Sequence, residues 1–438
     1  MAILITVVSI LLLVALISYF RVHVFLSFLI VSVFAGLLLH IPAVKIVGAM
    51  QKGMGDTLGA IVSIIALGAM LGRLVAQSGA AECISNAMMN LFGSKRLRWA
   101  FLLTGFLVGL PLFYSVGFML LAPIAITVAS RSHISAVYLG LPLLTSLSVT
   151  QGFLPPHPAP LVLVQQLHAN MGTTLWYGIL ISIPAIVIGG MVFGATVKNI
   201  HTPPNALFIA SPLANKDMPS AGVSFAMVLL PVVLIGVCTL LENTLPATAS
   251  LYPVVKFLGE PVISMLVSVL AAAYLLGIRR GQSLAAVTAS LTGSVKDVAM
   301  LFLVFGGAGA LKQILVEGGV SDVIAASMAQ SSLHPFILGW TMAAIIRVCV
   351  GSSTVAGITT AGFFVPVVQA TGVDPNLMVL SIGAGSMMFA HVNDTGFWLF
   401  REYFQLSLKG TIRSFSIMET IIAVTGLAGV MVLQYFRG

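Results

Sequence analysis

Charged residues are scarce in this chain. Aspartate, glutamate, lysine and arginine make up only 7% of its 438 residues, whereas an ordinary soluble domain carries about 25%. The hydrophobic share is 59% and the mean hydropathy is +1.10. Because a soluble core cannot bury that much apolar surface, most of the chain must have lipid as its solvent. The composition predicts a polytopic membrane protein.

Several functional motifs are missing as well. The three cysteines, Cys83, Cys238 and Cys349, are odd in number and far apart, which excludes a disulfide framework and a CxxC metal site. No GxxxxGK[ST] nucleotide motif occurs, so uphill movement of a solute would need an ion gradient. Neither HExxH nor GxSxG is present, and we predict no enzymatic activity, metal or cofactor. The basic residues are scattered over short loops, so we predict no nucleic-acid partner.

Long apolar runs fill most of the sequence. A spanning helix needs about 20 mostly apolar residues, and the runs that qualify are 2–20, 23–41, 57–78, 135–165, 175–197, 223–245, 258–277, 296–316, 374–404 and 411–435. We interpret the first run as a retained spanning helix and not as a signal peptide, because no Lys or Arg precedes it. The sequence therefore predicts about ten transmembrane helices.

Two of these runs contain polar clusters that break a helix. The clusters are 148–158, which is rich in proline, and 391–396. Irregular backbone is tolerated inside a bilayer only where it is buried in protein or lines a cavity. The runs 135–165 and 374–404 therefore predict two discontinuous helices beside a substrate site.

Two further apolar regions, 97–131 and 333–371, carry Gly, Ser and Thr at their centres and predict re-entrant hairpins. If the N-terminus lies outside, most Lys and Arg residues of the loops fall at the cytoplasmic face, as the positive-inside rule requires. This orientation places both termini outside. The first hairpin then enters from the inside and the second from the outside, so that their tips face each other.

The two halves of the chain resemble each other. Residues 68–79 align with residues 308–319, 240 positions later, and Gln151 aligns with Asp394, 243 positions later. Each half holds an odd number of crossings, so the second half is inserted upside down relative to the first. We predict an all-α membrane protein of two inverted repeats. The first is 1–198, the second is 223–438, and a cytoplasmic linker, 199–222, joins them.

The second break supplies one group of candidate site residues. An acidic side chain in a spanning segment costs about 2.5–3.5 kcal/mol on insertion scales. Asp394 is therefore expected to face a cavity, a proton path or an ion; the alternative is that it caps backbone N–H groups where the helix breaks. Asn393 and Thr395 lie beside it as candidate substrate ligands, and His391 is a candidate proton carrier.

The first break supplies a second group, formed by Thr150, Gln151, Gly152 and His157. The prolines around them free backbone carbonyls and expose the N-terminus of the following half-helix, which favours an anionic group. His157 is a candidate for ligand binding or proton transfer, and a structural hydrogen bond is its alternative role.

The hairpin tips supply the third group. Small hydroxyl residues and glycine at a tip suit a carboxylate or a hydroxyl ligand, although small residues also serve helix packing. The candidates are Gly351, Ser352, Ser353 and Thr354 in one hairpin and Ser115 in the other. Arg347 lies four residues before Gly351, a position from which its positive charge could attract an anion.

At these residues the chain resembles the gluconate/proton symporter family of bacterial inner-membrane permeases. The matching motifs are GAMLG at 68–72, FLPPHP at 153–158, GSSTVAGIT at 351–359 and HVNDTGFWLF at 391–400. The resemblance implies uptake of gluconate or a related sugar acid together with protons. It also implies a homodimer in which a scaffold pairs two chains while a mobile unit carries the hairpins.

The chain departs from the family pattern at three positions. Ser115 stands where the family commonly has glutamate, Gln151 where it often has histidine, and Thr395 where proline is usual. The first two replacements remove groups that could carry a proton. The remaining candidates for proton or ion coupling are Asp394, His391 and His157.

The resulting hypothesis is a secondary active transporter that imports a small anionic sugar acid or hydroxy-carboxylate with protons. The alternatives are a sodium-coupled carrier, a facilitative organic-anion carrier and a passive channel, because selectivity filters also use irregular backbone.

Overall fold

The computed structural model describes residues 2–200, 218–246, 248–320, 333–391 and 394–437. All regular elements within these ranges are helical, which confirms the all-α class. Most of the predicted linker, residues 201–217, lies outside the described residues, and so does Asn393.

The helices of the first half are α1 Ala2–Ser18, α2 Val24–Leu38, α3 Ala43–Gln77, α4 Ala80–Phe92, α5 Leu97–Gly109, α6 Tyr114–Arg131, α7 Ala136–Phe153, α8 Pro158–Gln166, α9 Met171–Ile186 and α10 Phe193–Thr196. Those of the second half are α11 Ala221–Thr244, α12 Tyr252–Gly259, α13 Pro261–Ala272, α14 Leu284–Glu317, α15 Pro335–Val350, α16 Ser353–Thr371, α17 Pro375–Gly385, α18 Thr395–Tyr403, α19 Leu408–Thr411 and α20 Ile417–Arg437. Short 3₁₀ turns occupy Ser94–Arg96 and Ile278–Arg280, and π-helical segments occupy Val187–Val192, Ala273–Gly277 and Ile412–Ser416.

Nine helical stretches in the described ranges are long and apolar enough to cross a membrane, which identifies a multi-pass membrane protein. Two predicted spans are much longer than expected. The run predicted at 57–78 belongs to α3, which has 35 residues, and the run predicted at 296–316 belongs to α14, which has 34. The two N-terminal helices are shorter than predicted, with 17 residues in α1 and 15 in α2.

The two long helices α3 and α14 cross at a pair of glycines. A Cβ atom added at Gly53 would fall on the carbonyl oxygen of Gly309, and one added at Gly309 would fall on that of Gly53. The backbones can touch here only because neither residue has a side chain.

We expect Gly53→Ala to destabilise the protein by about 1–3 kcal/mol, the usual cost of overpacking a close contact. Thermal unfolding in detergent measures the effect. Gly55→Ala is the matched control, because a Cβ added at Gly55 in the same helix would meet nothing within 4 Å. Equal melting temperatures for the two variants would contradict the crossing.

Both predicted breaks are present, but their boundaries differ from the prediction. Residues 148–153 remain helical, and the first break covers only 154–157, where consecutive prolines remove backbone donors. The Pro155–Pro156 peptide bond is cis. The second break is wider than predicted, because α17 already ends at Gly385 while α18 begins at Thr395.

The two broken helices touch near their breaks. A Cβ atom added at Gly383 in α17 would lie 2.5 Å from the carbonyl oxygen of Gly152 in α7. A Cβ atom on Gly152 would in turn lie 2.8 Å from the sulfur of Met387. The two breaks are therefore held against each other by direct backbone contact.

Each region predicted as a hairpin consists of two helices joined by a short turn. In the first region, the turn between α5 and α6 covers 110–113. In the second region, the turn between α15 and α16 consists of Gly351 and Ser352, and Gly351 has a φ of +82°. This left-handed conformation favours glycine, which explains the residue at this tip.

Candidate functional site

Three helices begin at the same cavity, which has a volume of about 390 Å³. They are α6, α16 and α18, whose first residues Tyr114, Ser353 and Thr395 all line it. The N-terminus of a helix carries a partial positive charge and free N–H groups. The cavity therefore offers three backbone environments that favour an anion.

The lining residues come from both halves of the chain. They are Tyr114, Ser115, Ser148, Gln151, Leu301, Arg347, Gly351, Ser352, Ser353, Thr354, Met387, Asp394, Thr395, Gly396, Leu399, Phe415 and Glu419. A second cavity, of about 340 Å³, adjoins it and shares Tyr114, Ser115, Gln151, Leu301 and Thr354.

Arg347 is the basic residue of the first cavity, and its side chain is only 3% exposed. Its Nη2 donates to Oδ2 of Asp394, and its Nη1 donates to the carbonyl oxygen of Gly351 at the tip. These two contacts hold the guanidinium at the edge of the cavity. A carboxylate is the ligand that matches the planar donor fork of arginine.

Asp394 lines the cavity and also caps a helix, so both interpretations that the sequence offered for its position apply. Its Oδ1 accepts the backbone N–H of Phe397 at 3.1 Å, which caps α18, while its Oδ2 pairs with Arg347. The aspartate thus fixes both a helix end and the guanidinium.

The hydroxyl residues of the tip, Ser352, Ser353 and Thr354, all line the cavity. The Ser352 hydroxyl oxygen accepts the backbone N–H of Val355 at 3.3 Å and so caps α16. Ser353 is joined to α7 through Gln151, whose Nε2 donates to the Ser353 Oγ at 3.5 Å. Thr354 lines both cavities, and so does Ser115, which is exposed. Hydroxyls of this kind can donate to or accept from the hydroxyls of a ligand.

Of the predicted site residues that the structure describes, four do not line the first cavity. Thr150 is buried and donates to the carbonyl oxygen of Leu147 at 2.9 Å, and Gly152 lies against the other broken helix. His391 contacts the carbonyl oxygen of Val348 through Nε2 at 2.9 Å.

The fourth, His157, is buried at a different place. Its Nε2 lies 2.6 Å from the carbonyl oxygen of Gly109, beside a separate small cavity lined by residues such as Pro111 and Met265. This is the structural hydrogen bond that the sequence left open as its alternative role.

Helix geometry explains which residues of α7 reach the cavity. Successive helical residues point about 100° apart, so residues three positions apart share a face. Ser148 and Gln151 form such a pair, and both line the cavity. Thr150, two positions after Ser148, points to the opposite side of α7. Gly152 shares the face of Ser148 but has no side chain and lies against Met387.

Sequence reasoning missed Glu419. This residue is 2% exposed, lines the cavity and belongs to α20, within the last predicted span. The signal was present, because a lone acidic residue in an apolar run carries the same insertion cost that singled out Asp394. Tyr114 and Ser148 were not chosen as site residues either, although Ser148 begins the predicted polar cluster 148–158 and Tyr114 directly precedes Ser115.

A bundle of membrane-spanning helices that encloses a polar cavity between broken helix ends is the architecture of a membrane transport protein. The family comparison is in agreement: residues 1–436 match the model described as GntP family permease. The chain belongs to this family, whose members are permeases and not enzymes.

Three relatives illustrate the similarity. A high-affinity gluconate transporter of Escherichia coli K12 is 42% identical over 99% of both chains. The Gnt-II system L-idonate transporter of the same strain is 38% identical over 95% of both. A gluconate permease of Bacillus subtilis is 38% identical over 99% of both.

Two solved structures share the fold at low sequence identity. The YdaH transporter of Alcanivorax borkumensis has a TM-score of 0.65 and 16% identity, over 90% of this chain and 88% of its own. MtrF of Neisseria gonorrhoeae has a TM-score of 0.66 and 14% identity, over 89% of this chain and 84% of its own.

Proposed function

We propose that this protein imports gluconate or a closely related sugar acid across the bacterial inner membrane by proton symport. The relatives are named for gluconate and L-idonate transport. The observation that carries the proposal is the cavity, where a buried arginine, several hydroxyls and three helix N-termini meet. Its volume, about 390 Å³, lies within the range of about 300–1,000 Å³ that is usual for small-molecule sites.

The proposed pose divides the substrate between two kinds of contact. Its carboxylate binds the Arg347 guanidinium and the N-terminus of α16, where charge-assisted hydrogen bonds are strongest. Its hydroxyls contact Ser352, Ser353, Thr354 and Thr395 on one wall and Ser115 and Gln151 on the other. Asp394 competes with the substrate for the arginine and balances the charge of Arg347 when no substrate is bound.

We also propose the two inverted repeats, with boundaries 1–198, 199–222 and 223–438. Several matched positions support them. The long helices have 35 and 34 residues and are followed by Gly79 and Gly319, which both have positive φ and lie 240 residues apart. A proline occurs inside both α6 and α16, at Pro123 and Pro366.

In the proposed movement the helix pairs 97–131 and 333–371 are re-entrant hairpins. Together with the broken helices they form one mobile unit that slides past a scaffold containing α3 and α14, an elevator-type alternating access. We further propose that the protein forms a homodimer through the scaffold and that both termini lie in the periplasm.

Purified protein in liposomes tests the proposed function. We expect uptake of labelled gluconate when a proton gradient is imposed and no stimulation by a sodium gradient. Vesicles preloaded with gluconate should show counterflow, which is saturable exchange and a property of carriers. Absence of gluconate uptake would refute the substrate, stimulation by sodium alone would refute the coupling ion, and unsaturable flux without counterflow would indicate a channel.

We expect Thr354→Val to raise the KM for gluconate about 5- to 10-fold, because one hydrogen bond to a substrate hydroxyl is worth about 1 kcal/mol. Valine keeps the shape of threonine, so protein stability should not change. Thr341→Val is the matched control: its hydroxyl donates to the carbonyl of Ile337 in its own helix, away from the cavity. Initial uptake rates over a substrate series measure both variants, and an unchanged KM for Thr354→Val would exclude this contact.

A further inference from the structure

Glu419 is an acidic residue whose presence in the cavity the proposed binding pose does not explain. It lies in the first turn of α20, directly after the π-helical segment Ile412–Ser416, and is 2% exposed. Burial of a carboxyl group in a spanning helix is costly, and such residues commonly line ion or proton paths.

The two oxygens of Glu419 have different surroundings. Ser148 in α7 donates its hydroxyl to Oε1 at 2.5 Å. Oε2 is buried and has no hydrogen-bond partner in the part of the chain that the structure describes. One oxygen is thus anchored, while the other has the lone pairs to accept a proton.

The groups that face Glu419 come from three other elements. The other charged or titratable groups that line the cavity with Glu419 are Arg347 of α15, Asp394 before α18 and Tyr114 at the start of α6. The arginine does not neutralise Glu419, because its Nη1 and Nη2 donate to Gly351 and Asp394.

The charge of the cavity then depends on Glu419. Its charged lining residues are Arg347, Asp394 and Glu419, so the site carries one net negative charge when Glu419 is ionised. A sugar-acid anion would raise this to two negative charges in a space of low dielectric constant, which is unfavourable. Protonation of Glu419 removes one of them.

On this geometry we infer that Glu419 carries the coupling proton. The inference rests on the proposed function. A proton from the outer solution binds Oε2, the anion then occupies the cavity beside Arg347, and both leave on the inside. The empty carrier and the fully loaded carrier have the same net charge, whereas the carrier with anion alone has one more negative charge. Anion movement is coupled to proton movement for this reason.

Glu419→Gln tests the inference, because the amide keeps the size of the side chain but cannot exchange a proton. We expect loss of gluconate accumulation driven by a proton gradient and loss of gluconate-dependent alkalinisation of the external medium. Counterflow should persist at a reduced rate and should no longer vary with pH. Glu419→Asp should restore coupled accumulation. Glu317→Gln, at the exposed end of α14, is the matched control and should behave as the unaltered protein.

Three results would overturn the inference. Proton-driven accumulation by Glu419→Gln would show that another group carries the proton. Loss of counterflow together with accumulation, in a variant with normal thermal stability, would show that Glu419 binds substrate and not the proton. Gluconate uptake by the unaltered protein without accompanying proton movement would show that transport is not coupled to protons. Complete absence of gluconate uptake by the unaltered protein would instead refute the proposed function.

Discussion

Replacing Arg347 with glutamine is expected to weaken gluconate binding strongly. The guanidinium is the buried cation of the cavity, and removal of one partner from a buried charge pair costs roughly 2–5 kcal/mol. The Kd should therefore rise by about 30- to 5,000-fold. Equilibrium binding of labelled gluconate to the purified protein measures this change.

Two further variants separate binding from folding. Arg347→Lys keeps the charge but cannot contact Gly351, Asp394 and a carboxylate together, so affinity should be intermediate. Arg401→Gln removes a cation from a surface ion pair with Glu402 and should leave binding unchanged, because exposed pairs contribute about 0–1 kcal/mol. Wild-type affinity in a folded Arg347→Gln protein would exclude the proposed pose.

Asp394→Asn should have the opposite effect on binding and still slow transport. Asparagine can continue to cap α18, but it cannot pair with Arg347, so the substrate carboxylate loses its competitor for the guanidinium. We expect the Kd for gluconate to fall several-fold and net uptake to fall by about the same factor, because a substrate that is bound more tightly is released more slowly.

Asp374→Asn provides a closely matched comparison. Asp374 caps α17 through the backbone N–H groups of Asn376 and Leu377, and it pairs with Arg437, but it lies outside the cavity. Its replacement changes the same chemistry and should leave uptake near the level of the unaltered protein. If both aspartates give the same loss of uptake, helix capping and not the arginine pair is the property that transport needs.

Much of the fold was predictable because the bilayer imposes simple rules on a sequence. Each of the ten predicted spans corresponds to helix in the structure. The errors have a physical origin. The prediction began α3 at 57 and not at 43, because Lys45, Gln51, Lys52 and Asp56 lower the local hydropathy. A helix can continue through such residues when other helices or solvent cover them, and a sliding hydropathy window does not detect this.

The site was predictable where residue type alone indicates function. Arg347, Asp394 and the hydroxyls at 352–354 are polar residues at helix ends, and the structure brings them together with Ser115 and Gln151. The direction in which each side chain points was harder to predict, because it depends on whether a polar stretch stays helical, as 148–153 does. Glu419 shows a third case, in which proximity comes from tertiary packing. Its hydrogen-bond partner Ser148 is 271 positions away along the chain, and a single sequence does not indicate which residues so far apart will come into contact.

The glycine contact between the two breaks constrains how the protein can transport its substrate. Gly383 touches the carbonyl of Gly152 with no side chain between them, so the two interrupted helices cannot slide past each other without a collision. In the proposed movement, the helices that form the walls of the cavity therefore move together as one rigid unit. The contacts to the substrate then stay the same throughout the movement, and selectivity is determined once, when the substrate binds.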